Sequence, residues 1–225
     1  HPFTKPDYYR KVAKEILGNE VAKLELPTGE QNSFLLDAVY CGPEDFRKQP
    51  VAVELRDQIM RPRYVWVFNR NLWFPGENGK NAGVYVQHDP RGIGLSEMLE
   101  VDELERKLEG GKTIAGVRFS RDRKTAFAPR KTYKGEEMDA DDFAKDVFII
   151  ASNGIVGANA SARVSQSEYF RSKRPYSGIV EPDKDQPIQT LSAVDGCDGG
   201  RLGFGGSYAV GRRGFASGVC APQSA

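Results

Sequence analysis

The sequence predicts an α+β domain: a small mixed or antiparallel sheet packed by two or three helices, with an extended glycine-rich C-terminal arm. Three observations predict it. Bulky residues alternate at Tyr64, Trp66 and Phe68 against Val65, Val67 and Asn69, the period of a strand. The segments 5–18 and 95–112 carry apolar residues at helical spacing between start and stop signals. Strands and helices alternate in places, but without the sustained βαβ series of a parallel sheet. The expected division is a core over residues 1–173 and an arm over 174–225.

In chain order, "KPDYYRKVAKEILG" predicts a short amphipathic helix, with Asp7 placed to cap it, Tyr9, Val12, Ala13 and Ile16 on one face, and Gly18 as its stop. "VAKLELPTGEQNSFLLDAVY" predicts two extended segments around a Pro-Thr-Gly turn. "GPEDFRK" predicts one helical turn, with Pro43 in its first position. The strand at 64–68 has bulk on both faces and is expected to be covered on both. "PGENGKN" is a loop and "GVYVQ" a return strand. "LSEMLEVDELERKLEGGK" is the strongest helix signal: Ser96 as cap, Met98, Val101, Leu104 and Leu108 along one side, Gly110-Gly111 as its end. "TIAGVRF" and "RKTAFAP" predict strands paired across "SRDR". "MDADDFAKDVFIIAS" predicts a helix with acids in its first turn, and a strand at its end is the alternative. "GIVGANASARVSQSEYF" has small residues at helix-like spacing. From about residue 174 the chain turns proline-rich and polar, then glycine-rich, which predicts an arm or a run of loops.

Composition narrows the function. Hydrophobic residues make up 39% and charged residues 28%, so the 225-residue chain can build a sizeable core. The net charge of +1 argues against a dedicated duplex-DNA binder, whose affinity rests on a basic excess. Three cysteines, Cys41, Cys197 and Cys220, form no CxxC. Three reduced thiols are the favoured reading, and a Cys197–Cys220 bridge, which would staple the glycine-rich stretch, is the alternative. The longest apolar run, "VFIIA", is too short to span a bilayer, and no signal peptide is visible. The chain begins at His1, which predicts a processed or truncated form of a soluble protein; the compartment is not legible.

The segment "GCDGGRLGFGGSYAVGRRGFASG" at 196–218 was tested against phosphate-binding loops. Gly206 and Gly211 have the glycine spacing of a P-loop, but Arg212-Arg213 stand where lysine and a hydroxyl are needed. Gly203, Gly205 and Tyr208 miss the dinucleotide fingerprint at its last glycine. Arg201, Arg212 and Arg213 among Phe204, Tyr208 and Phe215 could instead stack on bases, while glycine lets the backbone follow a partner. The competing reading is an arm that packs on its own protein or on a neighbouring subunit.

A second candidate is "RFSRDRKTAFAPRKTYK". On a hairpin, Arg118, Arg121, Arg123, Lys124, Arg130 and Lys131, with Lys134, surround Phe127 and Tyr133 in a cationic aromatic ridge suited to single-stranded nucleic acid or an acidic protein face. The acidic run "GEEMDADD" beside it would cancel much of its field. Arg61, Arg63 and Arg70 beside Trp66 and Trp73 fit a core strand better than a stacking platform. His1 and His88 could supply the ligands of a copper-binding histidine brace only if His1 is a mature terminus. One internal histidine leaves catalytic triads without a partner, and no serine sits in a nucleophile elbow. No cofactor or metal is expected, and no catalytic residue is assigned.

The stretch "LSEMLEVDELERKLEGGKTIAGV", residues 95–117, resembles the small C-terminal domain of phycobilisome linker polypeptides, where a Leu-Ser-led helix runs into Gly-Gly-Lys and a strand. That resemblance implies a scaffold or linker of a pigment–protein complex. The leading expectation is broader: a non-catalytic interaction or structural protein, a component of a larger assembly with protein partners and no membrane insertion. A nucleic-acid-binding module using residues 118–134 and the C-terminal arginines is the alternative, and an enzyme with an unreadable site the third.

Overall fold

The computed structural model describes residues 3–60, 64–77, 81–182, 186–197, 200–208 and 214–220. Helix α1 (Tyr9–Leu17) buries Tyr9, Val12, Ala13 and Ile16, the face its spacing predicts. After β1 (Leu24–Glu25) comes the first departure from the sequence reading. Residues expected to turn at Pro27-Thr28-Gly29 and return as a strand form α2 (Gly29–Cys41) instead. Its start is a capping box: Thr28 Oγ1 accepts from Gln31 N at 3.2 Å, and Gln31 Oε1 accepts from Thr28 N at 2.8 Å. The reciprocal cap outweighs the turn signal of Pro-Thr-Gly. Two helices follow, α3 (Glu44–Arg47), capped at Pro43, and α4 (Pro50–Met60).

Strand β2 (Tyr64–Phe74) is buried almost throughout, as its bulk on both faces predicts. It pairs antiparallel with β3 (Gly83–His88). The best helix signal is realised only in its second half, as α5 (Val101–Leu108). Ser96 does not cap it; it lies in a separate 3-10 turn, where its Oγ donates to the Ile93 carbonyl at 2.8 Å. Strands β4 (Lys112–Ile114), β5 (Val117–Phe119) and β6 (Thr125–Pro129) form successive hairpins, the second across the expected 120–123 turn. The acidic segment splits into α6 (Ala140–Lys145) and α7 (Val147–Ser165) at Asp146. Asp146 Oδ1 accepts from Phe148 N at 3.0 Å and Ile149 N at 3.2 Å, which starts the second helix. By length and composition α7 would cross a bilayer, but 72% of its apolar window is buried inside the domain. "VFIIA" opens this core helix rather than a strand.

The largest correction concerns the C-terminus. The segment expected to be an arm supplies β7 (Tyr176–Gly178), β8 (Ile188–Cys197), β9 (Arg201–Tyr208), β10 (Gly214–Phe215) and β11 (Val219–Cys220). The main sheet runs β4-β5-β6-β3-β2-β8-β9-β7, with β10 parallel to the start of β2, and β11 pairs with β1 in a separate ribbon. Strand β8 therefore lies against the central strand. Most pairs are antiparallel and β7–β9 is parallel, so the sheet is mixed. One face packs under α2, α4 and α7 through residues such as Val65, Val67 and Trp73. The other face is covered by α1 over Trp66 and Phe68, and by α5 over Leu72 and Tyr85. Cys41 and Cys220 are exposed free thiols, while the side chain of Cys197, and with it the 197–220 bridge weighed against three reduced thiols, lies outside the described residues.

Glycine serves the core here. The Gly206 carbonyl accepts from Trp73 Nε1 and Asn71 Nδ2, each at 3.2 Å, and from Thr190 Oγ1. A Cβ on Gly206 would lie 2.3 Å from Phe148 Cζ and 3.0 Å from Trp73 Cζ2, so the aromatic rings occupy the space a side chain would need. Gly206→Ala should therefore lower stability by about 1–3 kcal/mol, the usual cost of an overpacked core. Urea unfolding measures this, and an unchanged midpoint would contradict the packing.

Candidate functional site

At one end of the sheet, the break in α7 opens a space beside the β5–β6 hairpin. Gly154 has φ 68° and ψ 168°, a backbone state essentially reserved for glycine, and it divides α7 in its middle. At the break the Ser152 carbonyl accepts instead from Asn69 Nδ2 of β2, at 2.9 Å. The N-terminus of α2 lies against the same break. A Cβ on Gly29 would stand 2.0 Å from the Ser152 carbonyl oxygen and 2.7 Å from Asn153 Oδ1. The hairpin turn closes the third side. Asp122 Oδ1 accepts from Ser120 Oγ at 2.7 Å and Lys124 N at 3.0 Å, while Arg123 sits at φ 58°. Burial acts to raise the Asp122 carboxyl, but these hydrogen bonds hold it below the ordinary value.

The three elements enclose a cavity of about 550 Å³, the size of a small-molecule site. Val86, Ile114, Phe119, Ala126, Ala151 and Ile155 form apolar walls. Charged groups of both signs, Glu30, Asp122, Arg123 and Lys124, also line it. Three polar side chains on its walls have buried atoms without a hydrogen-bond partner: His88 Nδ1, Ser152 Oγ, and both Nδ2 and Oδ1 of Asn153. Asn153 is only 1% exposed. Burial pushes the His88 imidazole below its ordinary value, against the Phe68 carbonyl, so the ring is neutral near pH 7.

The residues of the expected cationic ridge are dispersed. Arg123 and Lys124 face the cavity. Arg118 donates to Glu105 at 2.6 Å and lies over the Phe127 ring. Phe127 itself is 3% exposed and packs on Tyr85, so it is no stacking platform. Arg121 donates to the Gly110 carbonyl, Arg130 approaches Glu181 at 3.5 Å, and Lys131 is exposed on a 3-10 turn. Tyr133 sets its ring edge against Trp73 in the core. Arg201 pairs with Glu137. The physical reason is that β6 is covered on both faces, so Thr125 to Ala128 are buried and the cations fall in the turn before the strand and the 3-10 turn after it, on different sides of the domain. Arg212 and Arg213 lie outside the described residues, as do His1 and hence the proposed histidine brace. Among the described residues no three His, Cys, Asp or Glu side chains gather as a metal site.

Sequence reading missed Asn69, Ser152, Asn153 and Gly154. A usable signal was present in Asn153-Gly154, a turn-forming pair inside an otherwise helical run.

The mixed sheet, covered on both faces and with its C-terminal strands beside the centre, is similar in fold to one solved structure. That structure is described as "Accommodation of massive sequence variation in Nanoarchaeota by the C-type lectin fold". It is 12% identical with a TM-score of 0.50, covering 96% of this chain and 97% of that one. No family model matches the sequence, and no curated protein does. The likeness to linker polypeptides thus rests on residues 95–117 alone.

His88 gives the site a pH signature. Its folded pKa lies below 6.5, so between the two values the unfolded chain binds a proton that the folded chain does not. This contribution to stability is complete above about pH 6.5 and is lost as pH falls through the folded value. Lys124 adds to the depression, while Asp89 and Glu25 oppose it. The urea midpoint should fall between about pH 7 and pH 5, and His88→Gln should flatten that slope. An identical slope in the variant would show that His88 does not cause it.

Proposed function

We propose that the chain is a non-catalytic binding module, a component of a larger assembly, with the cavity beside Gly154 as its ligand site. One observation carries the reading: a cavity of about 550 Å³ whose walls mix aliphatic side chains with Thr28, Glu30, Asp122, Arg123 and Lys124, the size and mixed lining of a small-molecule site. The same geometry argues against catalysis, because the unpartnered Ser152 Oγ and His88 Nδ1 are not hydrogen-bonded to one another as a nucleophile and its base would be. The structural neighbour is described as accommodating massive sequence variation. A fold that accommodates sequence variation suits a recognition role. Nucleic acid is the weaker reading, since Phe127 and Tyr133 pack into the protein rather than onto bases.

Hydrogen exchange with a chemically diverse ligand panel tests the site. A true ligand should protect the amides of residues 151–156 and raise Tm, and should be recovered chemically unchanged. Conversion of the ligand to a product would overturn the non-catalytic reading; no change at 151–156 with any member would overturn the site. For the assembly, protein from its native source should elute above the mass of one chain, and a monomer there would count against it.

A further inference from the structure

The polar groups of the cavity divide into those used within the protein and those left over for a ligand. Thr28 Oγ1 is taken by the cap of α2, and Asn69 Nδ2 by the Ser152 carbonyl. The unpartnered atoms of His88, Ser152 and Asn153 are buried behind the wall, out of reach of a molecule in the cavity. Asp122 is held as an anion by Ser120 Oγ and Lys124 N of its own turn. What remains is Glu30 on the first turn of α2, and Arg123 and Lys124 on the β5–β6 turn. Arg123 and Lys124 are exposed and Glu30 is half-buried, so all three can be touched. Glu30 reaches over the break in α7: a Cβ on Gly154 would lie 3.0 Å from its Oε1.

Opposite charges elsewhere in the chain close on one another. Arg47 pairs with Glu168, Arg118 with Glu105, Arg163 with Asp37 and Arg174 with Asp139. Among the described residues no ion pair joins Glu30 to Arg123 or Lys124, although the three line one cavity. The α2 wall is therefore negative at Glu30, while the β5–β6 turn sets Arg123 and Lys124 against the single carboxylate of Asp122 and is positive. Between the two lie aliphatic side chains and the Phe119 ring.

We propose that the cavity binds a short apolar peptide with free termini, its ammonium group at Glu30 and its carboxylate at Arg123 and Lys124. This rests on the reading of the cavity as a ligand site. A bare anion would satisfy the turn but meet the Glu30 carboxylate, and a bare cation would meet the positive turn. A neutral molecule would leave the charges of both walls unused. A zwitterion with an apolar body matches both charged walls and the carbon between them. The volume of about 550 Å³ has room for a ligand of more than one residue. Gly154 gains a second role, since a side chain there would crowd the Glu30 carboxylate.

The experiment titrates the full chain, followed by amide NMR, with leucyl-leucine and with leucyl-leucyl-leucine. Each is used free, N-acetylated to remove the ammonium, and C-amidated to remove the carboxylate. Triglycine is the control without an apolar body, and inorganic phosphate the bare anion. A free leucine peptide should shift the amides of residues 122–124 and 151–156 saturably. Its capped forms and triglycine should bind about ten-fold or more weaker. Glu30→Gln should weaken the free peptide about ten-fold and leave the N-acetylated form unchanged. Arg123→Gln with Lys124→Gln should weaken the free peptide likewise and leave the C-amidated form unchanged. A merely structural role for these side chains would weaken free and capped peptides alike. The two walls are tested separately, so one variant that fails to fold leaves the other to decide. Capped peptides that bind as tightly as free ones, or variants that affect both forms equally, would overturn the proposal and leave the cavity a ligand site. Phosphate shifting these amides where no peptide does would overturn the ligand class in the same way. No saturable shift with any probe would also overturn the proposal, and the wider ligand panel then decides the cavity reading by itself.

Discussion

The structure depends on keeping β2 dry on both faces. Trp66 and Phe68 point to one layer, Val65, Val67 and Trp73 to the other, and every one of them is 3% exposed or less. Such a strand needs partners along both edges and cover on both sides, because its backbone groups and its apolar area must all leave water together. Strand β3 supplies one edge from nearby in sequence. The other edge comes from β8, more than a hundred residues later. The shared polar centre, in which the Gly206 carbonyl takes bonds from Asn71, Trp73 and Thr190, ties β9 into the same core. The C-terminal third of the fold is therefore a structural necessity of the central strand.

The cavity follows from the same layering. Helix α7 must run 19 residues across the sheet, yet it is interrupted at Gly154, where α2 and the β5–β6 turn converge. A continuous helix there would bond its own Ser152 carbonyl and close the space. Asn69 takes that carbonyl instead, so a residue of the central strand holds the break open. Ser152, Asn153 and His88 then lie in the walls of a volume no protein group fills. Arg163, which forks onto Asp37 at 2.7 and 3.2 Å, and the Ser161–Ser33 hydroxyl contact at 3.0 Å keep the far half of α7 on α2. The far half of α7 is thus tied to α2 beyond the break.

Much of the fold was legible, and the misses have local causes. The buried faces of α1 and β2 were visible because their side chains are large and periodic. Helix α2 was hidden because Pro-Thr-Gly resembles a turn, although Thr28 and Gln31 form the cap that decides the matter. The position of Ser96 before a helical pattern suggested a cap, but the chain bends at 97–100 before the helix begins. Of the candidate site, Arg123 and Lys124 were named for their charge, whereas Asn153 and Ser152 looked like ordinary helix interior. Their significance lies in partners they lack, and a missing partner has no sequence signature.

What this sequence determined by itself was its class of structure, α+β, and the buried faces of elements with large periodic side chains such as α1 and β2. Those properties are local, set by spacing, caps and side-chain size within about ten residues. Tertiary structure alone decided that the glycine-rich C-terminus is sheet rather than arm. Glycine carries no side chain whose periodicity could announce burial, so its place is set by the Trp73 and Phe148 rings that occupy the room beside it. The cavity was likewise decided only when α2, α7 and the 120–125 turn met, since each of its walls comes from a different part of the chain.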